Sequence, residues 1–239
     1  MADFVLVHGA WHGAWCWRDV LPLLVREGHR AHAVTLTGLG ERVHLMSPAI
    51  TLETFISDVA NAIEAEEMQR VVLVVHSFAG MVGTAIADRM PGRIGHLVYV
   101  DAVVPQPGES WCSTHEAATR EARIAASEAS HDYSFPPPDP SVYGLAGDQH
   151  EWVRRRQVRH PGHTYTAPLV FDAQRVAGVR RTFIDCTHPP LPTIDVSRRR
   201  VRDAGFWGAP WRVLEMQTGH DPMVSAPNDL AQILLACAP

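Results

Sequence analysis

The chain has 239 residues, 46% of them apolar, and a net charge of −5 at pH 7, a composition that suits one large soluble domain or a core with an insertion. The negative charge does not suggest a nucleic-acid partner, and no apolar run is long enough to span a bilayer. All 21 basic residues are arginine, which excludes chemistry that needs a lysine base, a lysine Schiff base or a P-loop lysine.

The cysteines and the N-terminus predict the compartment. Four widely spaced cysteines form no C-x-x-C pair, so we expect reduced thiols at Cys16, Cys112, Cys186 and Cys237. The first residues show no basic region followed by an apolar stretch, and therefore no visible signal peptide. Together these features predict a cytoplasmic protein.

The first part of the chain alternates predicted strands with predicted helices. Apolar runs predict strands over residues 3–7, 31–36, 71–75 and 94–100. Helical periodicity predicts helices over residues 15–27, 52–66 and 79–90. Repeated strand–helix–strand units with short connections predict a mostly parallel sheet with helices on both faces.

The strand pattern stops after the fourth predicted strand. Residues 105–178 contain predicted helices at 116–130 and 150–158, and a proline-rich stretch at 134–140 that excludes a helix or strand interior. We therefore predict a mainly helical cap over 105–178. It is inserted into an α/β core that consists of residues 1–104 and 179–239.

The core pattern resumes after the predicted cap. Its last elements are predicted strands at 181–186 and 211–216 and predicted helices at 196–204 and 227–236. Two arginine runs, 154–156 and 198–200, could bind an anion, but such runs are more often solvated helix faces, and we interpret them so.

Ser77 follows the predicted strand 71–75 in the stretch V-H-S-F-A. In an open parallel sheet, ligands bind beyond the carboxyl ends of the strands, and a following helix N-terminus stabilises developing negative charge. A G-x-S-x-G elbow would identify a nucleophile, but Val75 and Ala79 replace both glycines. Gly80 and Gly83 have no side chains and therefore reduce the width of the predicted helix that follows. This stretch alone leaves two interpretations, a nucleophile or a serine that caps the helix.

The loop after the first strand supplies predicted oxyanion donors. Gly9 allows the backbone to turn, so the N–H groups of Ala10 and Phe78 are predicted to form a two-donor oxyanion hole. His8 and His12 have the spacing of two zinc ligands, but they lie in a loop and no glutamate follows His8. We interpret them as hydrogen-bonding loop residues and predict no metal.

His220 lies in a loop directly after the last predicted strand, where a base is needed. Serine first and histidine last is the chain order of the α/β-hydrolases. The stretches VLVHGAWHGAW, TLTGLGERVHL, VVHSFAGMV and TGHDPM resemble that superfamily, and most of all its branch of plant methylesterases, hydroxynitrile lyases and small bacterial esterases. The resemblance covers the core on both sides of the cap. It implies an α/β-hydrolase fold with Ser77 as nucleophile and His220 as base.

The acid of this predicted triad has two candidates. The family's acid usually follows the penultimate strand, but residues 188–190 are H-P-P and offer no carboxylate. Asp101 ends an earlier strand in the sequence Y-V-D-A, which is similar to the context in which haloalkane dehalogenases carry their acid. Asp185 lies inside the penultimate strand and needs a partner there. We favour Asp101 and keep Asp185 as the alternative, and we interpret Asp221 as a loop residue.

These residues predict a serine carboxylesterase that acts on small to medium-sized alkyl or aryl esters and needs no metal or organic cofactor. A small-molecule ester is the expected partner, and a homodimer is expected by analogy only. One alternative is hydroxynitrile-lyase chemistry. The resemblance implies that plant lyases carry threonine at the position of Gly9 and lysine at the position of Asp221, and this chain has neither. The other is a ligand-binding receptor with little turnover. The predicted substrate-binding residues are Gly9, Trp11, His12, Val104, Trp111 and Trp152.

Overall fold

A six-stranded sheet forms the centre of the protein in a computed structural model that describes residues 1–208 and 210–238. The strands in chain order are β1 (Asp3–Val7), β2 (Arg30–Val34), β3 (Val71–His76), β4 (Ile94–Val100), β5 (Ser134–Phe135), β6 (His160–Pro161), β7 (Arg181–Cys186) and β8 (Arg212–Met216). The central sheet has the order β2-β1-β3-β4-β7-β8, and all its neighbouring strands are parallel. The predicted α/β architecture with a parallel sheet is thus confirmed.

Helices connect the strands and cover both faces of the sheet. They are α1 (Leu21–Arg26), α2 (Leu52–Ala65), α3 (Gly80–Arg89), α4 (Ala117–Glu128), α5 (Gly147–Arg154), α6 (His163–Thr166), α7 (Ala173–Ala177), α8 (Asp195–Arg202), α9 (Pro222–Ser225) and α10 (Pro227–Leu235). Within the described part of the chain, none of them combines the length and the apolar character that crossing a membrane requires.

The strand β3 shows why the sheet is buried on both sides. Successive side chains of a strand point to opposite faces. Leu73 and Val75 pack in one hydrophobic cluster with residues of α2 and α3. Val72 and Val74 pack in a second cluster with residues of α1 and α10. Because both faces are covered, the strand is a continuous apolar run without alternation.

The first helix is shorter than its periodicity predicts. The prediction covered residues 15–27, whereas Ala14–Trp17 forms a 3₁₀ turn and α1 begins at Leu21. Pro22 occupies the first turn of α1. Proline has no N–H and its ring collides with a preceding helical turn, so a single helix cannot continue through this position.

The chain between β4 and β7 forms α4 to α7 and the antiparallel pair β5–β6. The backbone N–H of Val158 donates to the carbonyl oxygen of Trp11 at 3.0 Å, which ties this segment to the loop after β1. Val176 of α7 shares a hydrophobic cluster with α3, and Arg175 of α7 pairs with Asp88 at 3.2 Å. The last helix of the segment therefore packs against the core.

Candidate active site

Ser77 lies on a tight turn between β3 and α3. β3 ends at His76, residues Ser77–Ala79 form a 3₁₀ turn, and α3 begins at Gly80. The φ angle of Ser77 is 54°, a left-handed conformation that is strained for a residue other than glycine and that clusters at functional sites. The turn places Ser77 at the carboxyl end of the sheet, directly before a helix N-terminus whose N–H groups lack intrahelical partners.

The glycine that Val75 replaces in the elbow has a counterpart in α3. A Cβ atom on Gly83 would lie 2.6 Å from Cγ1 of Val75, so this glycine provides the space that valine needs on the strand. A Cβ atom on Gly80 would collide with the carbonyl oxygen of Val103, so this position also requires glycine. Small residues on the helix therefore replace the small residue on the strand, and the elbow forms without the G-x-S-x-G pattern.

A chain of two hydrogen bonds joins Ser77, His220 and Asp101. Ser77 Oγ donates to His220 Nε2 at 2.8 Å, and His220 Nδ1 donates to Asp101 Oδ2 at 2.7 Å. Because a carboxylate only accepts, it fixes the proton on Nδ1 and leaves Nε2 free to receive one. The loop is held in turn by the His220 backbone N–H, which donates to the carbonyl oxygen of Tyr143 at 3.0 Å.

The two candidate acids have different partners. Asp101 is fully buried, and its second oxygen accepts a hydrogen bond from Arg198 Nη2 at 2.8 Å. Asp185 has arginine partners on both oxygens, Arg198 Nε at 2.6 Å and Arg202 Nη2 at 2.6 Å. Among the described residues, Asp185 makes no hydrogen bond to His220. The structure thus brings Asp101 to the histidine and leaves Asp185 in an ion-pair network behind it.

Arg198 does not lie on the solvated face that we expected for the run 198–200. Its exposed fraction is only 9%, whereas Arg199 is exposed. Val201, three residues further along α8, is also buried, so Arg198 and Val201 share the helix face that packs against the protein. Helical periodicity could have separated this arginine from its neighbours in the run.

Replacing Arg198 is expected to destabilise the fold. Arg198→Met would leave Asp101 and Asp185 without the cation that they share, and breaking a buried ion pair costs about 3–5 kcal/mol. Urea unfolding should show that loss of unfolding free energy. Arg199→Met is the matched control because Arg199 is exposed and forms no ion pair among the described residues. Equal small losses in both variants would contradict a bridging role for Arg198.

The loop after β1 packs directly on the elbow. A Cβ atom on Gly9 would lie 2.8 Å from Ser77 Cβ and 2.8 Å from His76 Nδ1, so only glycine fits there. The N–H of the next residue, Ala10, has no hydrogen-bond partner among residues 1–208 and 210–238. The N–H of Phe78 lies in the first turn of a helix, where intrahelical partners are lacking. Both predicted oxyanion donors are therefore available next to Ser77.

A second buried network lies beside the first. His12 Nε2 donates to Asp221 Oδ2 at 3.0 Å, and both side chains are inaccessible to solvent. Burial opposes ionisation of Asp221, but the charge and hydrogen bond of His12 outweigh it and lower the pKa of Asp221 from 3.8 to about 2. Burial alone would lower the pKa of His12, and Asp221 raises it above its ordinary value. Asp221 thus lies in a loop before α9, as predicted, and the structure adds that it is buried and paired with His12.

This ion pair should give the stability a measurable pH dependence. Asp221 contributes fully above its ordinary pKa of 3.8, and the contribution is lost as the pH falls through about 2. The contribution of His12 is lost as the pH rises through its raised pKa. The difference in unfolding free energy between the wild type and Asp221→Asn should therefore shrink by about 2 kcal/mol between pH 4 and pH 2. Urea unfolding measures it, with the exposed Asp229→Asn as control. A difference that does not change with pH would contradict an ionised Asp221.

His76, His220 and Asp221 lie close enough to share an ion, with candidate ligand atoms within 4.8 Å of one another. Hydrogen bonds already use the ring nitrogens that face this group. His220 uses one nitrogen on Ser77 and the other on Asp101, and His76 Nε2 donates to the carbonyl oxygen of His220 at 2.8 Å. A nitrogen that carries a proton, or whose lone pair already accepts a hydrogen bond, is not free to bind a metal. The group therefore favours a hydrogen-bonded network over metal ligation.

Ser77 and His220 line a cavity of about 440 Å³. Its other walls are mostly apolar or aromatic and include Trp11, Trp111, Tyr143, Leu191 and Ile194. Two of the predicted substrate-binding residues, Trp11 and Trp111, are thus part of this wall, and their rings lie 5.9 Å apart. A cavity of this size suits a small-molecule ligand.

Other predicted substrate-binding residues lie away from the cavity wall. Val104 is fully buried, and its backbone N–H donates to Ser197 Oγ at 2.9 Å. Trp152 packs against Trp15 with ring centroids 5.0 Å apart, under the guanidinium of Arg18. Gly9 and His12 lie behind the wall in the contacts described above. An aromatic or apolar residue near a cap more often packs against the core than against a ligand, and sequence position alone does not separate these outcomes.

The parallel sheet, the elbow and the cavity at the carboxyl end of the strands define an enzyme of the hydrolase class. Residues 4–233 match the profile of the Alpha/beta hydrolase family, and the chain belongs to that family. It is 40% identical to the carbendazim hydrolyzing esterase of Nocardioides sp. (strain SG-4G), with 99% of each chain covered. It is 27% identical to Methylesterase 9 of Arabidopsis thaliana, with 100% of this chain and 98% of the relative covered.

A solved structure supports the fold assignment. An extracellular alpha/beta-hydrolase from a Paenibacillus species matches with a TM-score of 0.82 and 19% sequence identity. The match covers 100% of this chain and 99% of the other.

Proposed function

We propose that the protein is a serine carboxylesterase that hydrolyses small to medium-sized alkyl or aryl esters through an acyl-enzyme on Ser77. The proposal rests on the two hydrogen bonds that join Ser77, His220 and Asp101. Ser77 and His220 also line an apolar cavity. The esterase names of the relatives from Nocardioides and Arabidopsis support ester hydrolysis as the reaction class.

The proposed reaction has two halves. His220 Nε2 takes the proton of Ser77 as its oxygen attacks the ester carbonyl, and the N–H groups of Ala10 and Phe78 hold the oxyanion. The protonated histidine gives that proton to the departing alcohol. Asp101 fixes the tautomer of His220 and stabilises its positive charge. His220 then takes a proton from water as the water oxygen attacks the acyl-enzyme carbonyl. It returns that proton to Ser77 Oγ when the acyl bond to Ser77 breaks and the acid product leaves.

Cyanohydrin cleavage is less compatible with the site. The position after His220 holds Asp221, a buried carboxylate whose pKa is lowered to about 2 by His12. The lysine that the resemblance implies after the histidine of plant lyases is therefore missing here, and the chain contains no lysine at any other position that could stabilise a cyanide leaving group. A receptor without turnover is disfavoured because the hydrogen bonds that activate a nucleophile are all present.

The proposal is tested with p-nitrophenyl acetate and p-nitrophenyl butyrate. The protein should release p-nitrophenol with saturation kinetics, and a fluorophosphonate should abolish the release by adding one label, which peptide mass spectrometry finds on Ser77. Release no faster than with heat-denatured protein, or a label on another residue that abolishes activity, would refute the proposal.

A further inference from the structure

Arg123 of α4 places a positive charge in the wall of the cavity that contains Ser77. It is the one arginine in the described wall. Across residues 1–208 and 210–238, no carboxylate pairs with its guanidinium, although many other arginines have such partners. Its Nη1 donates to His115 Nε2 at 3.1 Å. The guanidinium therefore donates to a neutral acceptor, and its charge has no counterion in the part of the chain that the structure describes.

Aromatic rings fix the position of this guanidinium. Its Cζ lies 5.2 Å from the ring centroids of both Trp11 and Trp111, 5.4 Å from Tyr165 and 5.7 Å from Phe135. Contacts of this kind restrain a guanidinium and leave its edge donors free. Trp11, Trp111, Arg123 and Ser77 all line this cavity, so the cation and the serine face the same space.

The surroundings do not neutralise the charge. Burial and the Arg123 charge lower the pKa of His115 to about 4, so the imidazole is neutral at pH 7 and accepts from Arg123 without adding a negative charge. Burial also lowers the pKa of Arg123, yet a guanidinium stays protonated at any usable pH. A partly desolvated cation without a counterion gains most from an anionic ligand, and its planar fork matches a carboxylate.

We propose that Arg123 determines substrate specificity by binding a free carboxylate of the substrate, so that the preferred substrates are half-esters, such as the monoesters of dicarboxylic acids. This inference rests on the proposed esterase function. The ester group would lie at Ser77, the connecting carbon chain along the apolar wall, and the carboxylate at the cap side of the cavity against Arg123.

Matched esters test the proposal. The wild type should show a kcat/KM for p-nitrophenyl hydrogen adipate at least about tenfold above that for p-nitrophenyl hexanoate, after spontaneous hydrolysis is subtracted. Arg123→Met should lower kcat/KM for the charged ester by about 10- to 100-fold, the value of one charge-assisted hydrogen-bond pair. The neutral ester should change by less than about threefold because it makes no such bond. Arg123→Lys should restore part of the preference.

Controls separate a specificity role from a structural one. Arg120→Met alters the same helix one turn earlier, outside the cavity wall, and should leave the preference unchanged. Equal losses of Arg123→Met on both esters, or a wild type without preference, would overturn the inference. Calorimetric binding of monomethyl adipate to the Ser77→Ala protein, with and without Arg123→Met, gives a readout that needs no turnover. Binding that depends on Arg123 without any ester hydrolysis would refute the esterase function alone.

Discussion

Ser77→Ala is expected to lower kcat for p-nitrophenyl butyrate by about a millionfold, the loss typical of removing the nucleophile from a serine–histidine–acid system. Alanine has no oxygen that could attack the carbonyl or form the acyl-enzyme. His220 Nε2 and the Asp101 carboxylate would keep their places, since among the described residues the lost hydroxyl makes one hydrogen bond, to His220. A small residual rate from the oxyanion donors and from substrate binding is expected to remain.

The measurement is steady-state and single-turnover kinetics on purified protein. Ser47→Ala is a suitable control because Ser47 does not line the cavity, and circular dichroism verifies that both variants are folded. If Ser77→Ala kept more than a small fraction of the wild-type rate, another group would have to be the nucleophile.

Asp101→Asn is expected to lower kcat by about 10⁴-fold and to change KM much less. The carboxylate accepts from His220 Nδ1 at 2.7 Å, and that bond keeps Nε2 free to take the serine proton. An asparagine amide can donate in the same place, which stabilises the other tautomer of the histidine. The negative charge that stabilises the protonated histidine is lost as well.

Asp185→Asn is the matched comparison for this variant. It removes one carboxylate charge from the same Arg198 network but from a residue that does not hold His220. It should keep most of the activity and lose stability. The reverse result, an active Asp101→Asn and an inactive Asp185→Asn, would make Asp185 the acid.

The sequence predicted those parts of the molecule that depend on short-range pattern. Continuous apolar runs located β3 and β4, and alternation of strands with helices implied a parallel sheet. Since the carboxyl ends of parallel strands meet at one edge, Ser77 and Asp101 could be placed near each other from their positions after β3 and β4. His220 could be placed there because it follows the last strand.

The residues that the prediction missed acquire their partners across long stretches of chain. Asp221 meets His12, which lies 209 positions away, and Arg198 meets Asp101 from a different helix. Adjacent side chains do diverge at His220 and Asp221, as chain geometry suggests, but Asp221 turns toward a second buried site. A signal existed for Arg198, because a charged residue inside the strand β7 required a cation. For Arg123 no signal existed, because the rings of Trp11, Trp111 and Tyr165 surround it only in the folded chain.

The complementary pair Val75 and Gly83 changes how a nucleophile elbow is best recognised. What limits this turn is the total volume at one contact between a strand and a helix, and either partner can supply the small residue. A pattern that demands glycine at fixed positions would reject this chain although its serine adopts the strained backbone that the elbow needs. The sizes of residues 75 and 83 therefore have to be chosen together when this turn is redesigned. Enlarging residue 83 calls for a smaller residue 75, and a glycine at 75 alone would leave a void that the helix does not fill.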